Sequence, residues 1–314
     1  MSNTQVTLKK FDDPRITAKG ETRAHVPFNR MKTLWFNTGT LCNIECVNCY
    51  IESSPTNDRL VYLTKADILP YLEELKLANE SQIEIGFTGG EPFMAPDAIA
   101  MIEAALENGH TALVLTNAMQ PMMRPRVQTG LLDLKNRFQN KLIMRVSLDH
   151  FSEQFHDKER GAGSFDIAME GLKWLSKHNF NLAIAGRALF NEDEISAREN
   201  YNQLFKSNAF EIDAFDPTQL VLFPEMTPDS DPPEITTACW GILKKSPEDI
   251  MCADQRMVIK RKGHTSPTVL PCTLLPYDQR FEMGKTLQDS RKAVPLNHTY
   301  CATFCVLGGG SCSA

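Results

Sequence analysis

The chain has 314 residues, 42% of them hydrophobic, which is enough to bury the core of one large domain with an appendage or of two domains. Its 33 lysines and arginines against 39 aspartates and glutamates give a net charge of −6, so neither nucleic acid nor an anionic membrane is expected as a partner. The sequence has no uninterrupted run of 18 apolar residues and no signal-peptide core at its start, and we therefore expect a cytoplasmic protein.

Residues 1–30 are polar and show no clear period, which predicts an arm that lies across the rest of the fold. Strand-like and helix-like segments then alternate. The predicted strands cover residues 32–38, 83–87, 112–116, 142–148, 182–185 and 220–223. The predicted helices cover residues 64–78, 97–108, 126–138, 165–178 and 192–206, with Thr64 as the cap of the first helix. Such alternation predicts a parallel sheet with helices outside it, and fits a TIM-like barrel or a doubly wound sheet equally well.

The nine cysteines fall into two groups. Cys42, Cys46 and Cys49 have CxxxCxxC spacing directly after the first predicted strand. The other six lie in the last quarter of the chain: Cys239, Cys252, Cys272, Cys301, Cys305 and Cys312. The odd number and the grouping favour metal ligation over disulfides. The first group suits an iron–sulfur cluster, with a partial zinc site as the alternative.

Polar residues follow the ends of the next predicted strands. They are Gly89, Gly90 and Glu91 of a GGEP motif, Asn117, Ser147, Asp149 and Arg187. Because ligands gather at the carboxyl ends of parallel strands, we expect these residues to converge. The two glycines allow close approach of backbone to a ligand, and Glu91, in the loop after its strand and outside the core, offers a carboxylate to an ammonium group.

The composition changes after residue 223. Residues 224–233 are rich in proline and acidic residues and predict a linker. Residues 257–260 and 267–270 predict a β-hairpin with its turn near Gly263. Cys252 and Cys272 bracket this hairpin.

The CxxxCxxC motif after one strand and the GGEP motif after the next resemble the radical SAM superfamily. The segment with Ser147-Leu148-Asp149, His156-Asp157 and Arg160-Gly161 looks like members that carry SPASM or Twitch C-terminal domains, and the tail cysteines agree. The resemblance implies an α/β fold, a partial (βα)6 TIM-like barrel with a small cysteine-rich C-terminal Twitch/SPASM-like domain. Its parts would be the arm at 1–30, the barrel at 31–223 and the auxiliary iron–sulfur domain at 224–314.

The resemblance also implies cofactors, two 4Fe-4S clusters and S-adenosylmethionine (SAM). Cys42, Cys46 and Cys49 would hold the SAM-binding cluster. Residues that would bind SAM are Gly89, Gly90 and Glu91 at the methionyl end, Ser147 and Asp149 at the ribose, Arg187 at the carboxylate, and Asn117 in the pocket wall. The family usually has an aromatic residue before the third cysteine, where this chain has Asn48, and Tyr50 is the expected substitute. The auxiliary cluster would use Cys252, Cys272, Cys301 and Cys305, with Cys312 competing for the last place and Cys239 a buried thiol.

The function implied is reductive cleavage of SAM to a 5′-deoxyadenosyl radical, which abstracts hydrogen from a small metabolite or natural-product precursor. An electron donor such as flavodoxin or ferredoxin is the implied partner. The short arm favours a small substrate over the alternative, maturation of a ribosomally synthesised peptide. A non-enzymatic metal-binding or electron-transfer module ranks below both, because it leaves the GGEP motif without a purpose.

Overall fold

The computed structural model describes residues 9–188, 192–225 and 230–312. Its strands, in chain order, are β1 His25–Val26, β2 Thr33–Asn37, β3 Glu84–Thr88, β4 Thr111–Thr116, β5 Leu142–Ser147, β6 Asn181–Ala188, β7 Leu220–Pro224, β8 Gln255–Ile259, β9 Thr268–Leu270 and β10 Val294–Pro295. In these residues eight strands form one sheet in the order β7-β6-β5-β4-β3-β2-β8-β9. Every neighbouring pair is parallel except β8 and β9. The predicted α/β fold, a partial (βα)6 TIM-like barrel, is confirmed.

The helices connect the parallel strands as predicted. They are α1 Lys65–Leu77, α2 Ala98–Glu107, α3 Gln120–Met123, α4 Pro125–Phe138, α5 Glu153–Arg160, α6 Ser164–Lys177, α7 Glu194–Ser207 and α8 Cys239–Leu243, followed by a π-helix, Cys301–Leu307. The predicted cap is confirmed, since Thr64 accepts from the backbone N–H of Asp67 and the Asp67 side chain accepts from that of Thr64. The short helices α3, α5 and α8 and the π-helix were not predicted. Among the described residues, no helix is long and apolar enough to cross a membrane.

The two faces of the sheet have separate apolar clusters, because successive side chains of a strand point to opposite faces. Leu34 and Phe36 of β2 pack with the helices in the larger cluster. Trp35, between them in the chain, packs with Leu113 of β4 and Met257 of β8 in a smaller cluster on the other face. The strand β2 is fully buried, as expected for the centre of a parallel sheet covered on both sides.

The predicted C-terminal hairpin is confirmed as β8 and β9, with Gly263 at a positive φ in the turn. Strand β8 also pairs in parallel with β2, so the hairpin extends the barrel sheet. The described part of the N-terminal arm hydrogen-bonds to the C-terminal region, where β1 pairs with β10 and buried Arg23 bonds to Glu234. Residues 226–229 of the predicted linker lie outside the described residues, and the domain boundary at residue 224 stays a prediction.

Candidate active site

A cavity opens at the carboxyl ends of strands β3 to β7. It is lined by all of the residues predicted for the first cluster and for SAM except Glu91: Cys42, Cys46, Cys49, Tyr50, Gly89, Gly90, Asn117, Ser147, Asp149 and Arg187. The structure thus brings together side chains that lie up to 145 positions apart in the chain. Their individual roles stay predictions.

The loop after β2 carries the three cysteines (the cysteine loop), and the loop after β3 carries the GGEP motif (the GGEP loop). These two loops are packed directly against each other. The backbone N–H of Gly90 donates to the Gly39 carbonyl at 2.7 Å, and that of Glu91 donates to the Leu41 carbonyl at 3.2 Å. A Cβ on Gly90 would lie 2.0 Å from the Leu41 oxygen, and one on Gly89, at φ +143°, would lie 2.5 Å from the Gly39 oxygen. From the sequence, these glycines were expected to make room for a ligand. In the structure the chain's own backbone already requires them.

The three thiols of the cysteine loop line the cavity, with Cys42 buried and Cys46 and Cys49 half-buried. Burial raises the pKa of the Cys42 thiol to about 12, and nearby negative charges add to the shift. The Asn117 Nδ2 lies 3.9 Å from the Cys42 sulfur, and the Ser53 N–H donates to the Cys49 sulfur at 3.3 Å. Because iron binds the thiolate, loading this site must release protons.

Glu91 lies beneath the cavity. Its side chain is 1% exposed and accepts hydrogen bonds from the Phe93 N–H at 3.2 Å, the Thr116 hydroxyl at 2.9 Å and the Asn117 N–H at 2.9 Å. Burial raises its pKa to about 7 in spite of these bonds. Glu91 lies in the loop after β3, as predicted, but the expectation that it stays outside the core is wrong, because the end of β4 covers its side chain. Its contact with an ammonium group stays a prediction.

An ion cluster of Asp149, Arg160 and Arg187 forms part of the cavity wall. Asp149 Oδ1 accepts from Arg160 Nη2 at 2.9 Å and lies 3.3 Å from Arg187 Nε. Burial alone raises the pKa of Asp149, but the two guanidiniums outweigh it and hold the pKa at about 2. Asp149 Oδ2 and Arg160 Nε are buried and have no hydrogen-bond partner among the described residues. A buried polar atom without a partner is costly, so these two atoms favour a polar ligand in the cavity.

Arg160 is a site residue that the site prediction left out. It belongs to the Arg160-Gly161 pair quoted for the resemblance, but it ends α5 and does not follow a strand. Arg160 follows none of the predicted strands, and the helix α5 that carries it was not predicted. Gly161, at φ +98° directly after α5, is the local signal that a helix ends there.

The ring of Tyr50 lies at the cavity, two positions after Asn48. The Asn48 side chain donates to Glu159 at 2.8 Å, outside the described lining of the cavity. The Tyr50 ring lines the cavity, with the Arg187 guanidinium 4.7 Å from its centroid. The Tyr50 hydroxyl donates to the Pro224 carbonyl at 3.2 Å, so the ring is fixed at both ends. Its packing against adenine stays a prediction.

The C-terminal cysteines form a second group. Cys252, Cys272, Cys301 and Cys305 are all buried in one apolar cluster. Burial raises the pKa of Cys305 well above its usual value, and the other three thiols and Cys312 add to the shift.

The two remaining thiols of the tail differ from this group. The Cys312 sulfur lies 2.9 Å from the Thr273 hydroxyl, at the border between the C-terminal cluster and the smaller barrel cluster. The expectation that Cys239 is a buried thiol is wrong, because it is half-buried; its sulfur accepts from the Thr236 N–H at 3.4 Å.

The donor chemistry of both groups fits an iron–sulfur cluster. Within the described part of the chain, no three His, Cys, Asp or Glu side chains stand close enough to hold a single metal ion. A four-iron cluster gives each thiolate its own iron, so its ligands are spread further apart. Three thiols at one cavity and four or five in one buried cluster match that requirement.

Comparison with known proteins agrees with the family resemblance seen in the sequence. The radical SAM superfamily matches residues 36–197, which is more than half of the chain. The chain is 28% identical over 176 residues to the antilisterial bacteriocin subtilosin biosynthesis protein AlbA of Bacillus subtilis, a match that covers 54% of this chain and 35% of AlbA. It is 30% identical over 165 residues to the mycofactocin maturase MftC of Mycobacterium tuberculosis, covering 52% of this chain and 37% of MftC. The chain therefore spans little more than a third of these curated relatives.

Two solved structures share the fold. Streptococcus suis SuiB has a TM-score of 0.59 at 12% identity, over 85% of this chain and 67% of SuiB. Native anSMEcpe with bound AdoMet has a TM-score of 0.58 at 15% identity, over 85% of this chain and 81% of that structure. The fold, the cavity that combines the cysteine and GGEP loops, and the family match agree, and the chain belongs to the radical SAM superfamily.

Proposed function

We propose that this chain is a radical SAM enzyme with one 4Fe-4S cluster at Cys42, Cys46 and Cys49 and a second at the C-terminal cysteines. The observation that carries the proposal is the single cavity lined by the three cysteines and by the polar residues of the strand ends. Bound together, a reduced cluster and SAM supply a 5′-deoxyadenosyl radical that abstracts hydrogen from a substrate.

Three cysteines leave one iron of a four-iron cluster open, and the amino and carboxylate groups of SAM would bind there. The ion cluster suits the rest of SAM. The two positive charges of Arg160 and Arg187 exceed the single negative charge of Asp149. The remaining positive charge at the cavity wall suits the SAM carboxylate. The unpartnered Asp149 Oδ2 is an acceptor for ribose hydroxyls, with Ser147 beside it in the lining.

Glu91 acts on this site by holding other groups in place. Its two oxygens accept hydrogen bonds from Thr116 and from the backbone N–H of Asn117. These bonds hold the start of the loop after β4 against the GGEP loop. A carboxylate so placed orients the loops that surround the methionyl end, and it contributes negative charge for an ammonium group.

We assign the second cluster to Cys252, Cys272, Cys301 and Cys305, with Cys312 as the competing ligand, in an auxiliary domain that starts at residue 224. The burial of these four thiols in one apolar cluster supports this assignment. An external electron donor, such as flavodoxin or ferredoxin, completes the system.

For the substrate, the relatives favour the peptide alternative over a small metabolite. One relative is named for the biosynthesis of a bacteriocin and another is named a maturase. We therefore propose that this enzyme modifies a peptide. Incubation with SAM, dithionite and peptides encoded beside its gene should change the mass of one peptide, while a small-molecule substrate would leave every such peptide unchanged.

The cofactor assignment is tested by anaerobic reconstitution of the full chain. Two clusters predict about eight iron and about eight sulfide per chain. Calorimetric titration of the reconstituted protein should also show SAM binding. Stoichiometric zinc without sulfide would overturn the assignment.

A further inference from the structure

Three aromatic rings connect the cavity with the C-terminal cysteine group. The Tyr50 ring meets Phe304 edge-on at 5.8 Å between centroids and Phe223 at 6.3 Å, and Phe223 and Phe304 lie 5.8 Å apart. We refer to Tyr50, Phe223 and Phe304 as the aromatic triad. Each ring contacts both of the others, so a displacement of one ring requires the other two to move.

The triad belongs to both sites at once. Tyr50 directly follows Cys49 in the chain and lines the cavity, as does Phe223. Phe304 lies in the π-helix between Cys301 and Cys305, is fully buried, and is outside the described lining of the cavity. The residue between two tail cysteines therefore packs against the residue that follows a cysteine of the first motif.

We propose that the aromatic triad couples the two cysteine sites, so that the packing of Phe304 in the π-helix sets the affinity of the cavity for SAM. The inference rests on the proposed binding of SAM in this cavity. Tyr50 is a positioning residue in this coupling, because its ring contacts Phe304 on one side and the Arg187 guanidinium on the other.

Close packing explains how the effect is transmitted. Protein interiors have few voids, and a buried ring cannot move without moving its neighbours. Ligation of Cys301 and Cys305 would fix the π-helix and with it the Phe304 ring. That ring would then hold Tyr50, which is joined to Cys49 and bonded to the Pro224 carbonyl. Coupling between two sites is reciprocal, so SAM binding would equally favour the loaded state of the C-terminal site.

The test measures SAM affinity by calorimetry on the reconstituted full chain, at equal iron content. Phe304→Leu should raise the SAM dissociation constant about five-fold or more, the lower end of usual coupling between sites. The matched control is Phe281→Leu. Phe281 is buried in the same C-terminal cluster and has no ring contact with the triad among the described residues, so this variant should bind SAM as the wild type does.

A double-mutant cycle separates coupling from general loosening. In a Tyr50→Leu background, Phe304→Leu should change the dissociation constant by a smaller factor than in the wild type, because the contact is already lost. Equal factors in the two backgrounds would overturn the proposal, as would equal effects of the Phe304 and Phe281 variants.

A variant that does not load iron and a wild type that does not bind SAM can each be distinguished from a failure of the coupling. If Phe304→Leu does not load iron, Phe304→Met keeps most of the volume without the ring, and the same increase in dissociation constant is expected. If Phe304→Met binds SAM as the wild type does, the coupling is refuted. A wild-type protein that does not bind SAM at all would refute the proposed function itself.

Discussion

The substitution Asp149→Asn tests the ion cluster of the cavity. The change removes the negative charge that two buried guanidiniums share, and keeps the shape of the side chain. The pKa of Asp149 falls from 3.8 to about 2, which corresponds to roughly 2.5 kcal/mol of stabilisation by the charged form. Removing one partner of a buried ion pair costs about 3–5 kcal/mol in general. We therefore expect a loss of unfolding free energy of about 2.5 kcal/mol or more at neutral pH.

The sign of the pH dependence follows from the lowered pKa. The stabilisation by Asp149 is fully present above pH 3.8, and it is lost as the pH falls towards 2. At pH 7.5 the whole effect is therefore measurable. The asparagine variant should lack this part of the acid sensitivity.

The assay is urea unfolding at pH 7.5 without added SAM, at equal iron content. Asp133→Asn is the matched control, because Asp133 also pairs with an arginine, Arg137 at 3.0 Å, but is 60% exposed. Surface pairs contribute little, so this control should unfold like the wild type. A midpoint of Asp149→Asn that is no lower than that of Asp133→Asn would refute the buried ion cluster. In SAM titrations, loss of the Oδ2 acceptor should raise the dissociation constant about ten-fold.

Three further predictions follow from single positions. Gly90→Ala should lower the melting temperature and abolish SAM binding, because its Cβ would lie 2.0 Å from the Leu41 oxygen, and unchanged affinity would contradict the packing of the two loops. Glu91→Gln should lower the melting temperature even without SAM, since an amide NH2 would face a backbone N–H that now donates to a carboxylate. An unchanged melting curve would show that Glu91 does not brace these loops. Cys305→Ala should reduce the iron content from about eight to about four per chain, while Cys239→Ala should leave it unchanged, and equal losses would contradict the ligand assignment.

The sequence predicted the barrel and the place of the site because both depend on local patterns. The six strands of the barrel appear in the predicted order, since buried parallel strands have short apolar runs and the helices between them have a different period. The spacing of Cys42, Cys46 and Cys49 and the GGEP motif are equally local. Since the carboxyl ends of parallel strands share one edge, the convergence of Asn117 and Asp149 on one cavity followed.

What the sequence did not predict depends on contacts between distant segments. The burial of Glu91 results from a strand that follows more than 20 residues later and whose end covers the side chain. Arg160 reaches the cavity from a short helix without a clear apolar period. The hairpin at Gly263 was predicted as a local turn, but its parallel pairing with β2 joins segments about 220 residues apart, which no local pattern indicates.

The most direct test of the central claim is SAM turnover by the reconstituted protein with dithionite as reductant. The account predicts that the wild-type chain forms 5′-deoxyadenosine and that the variant with Cys42, Cys46 and Cys49 replaced by alanine forms none. The triple variant should still retain about four iron per chain at the C-terminal cysteines. Formation of 5′-deoxyadenosine by the triple variant at the wild-type rate would contradict the assignment of the active cluster to this cavity.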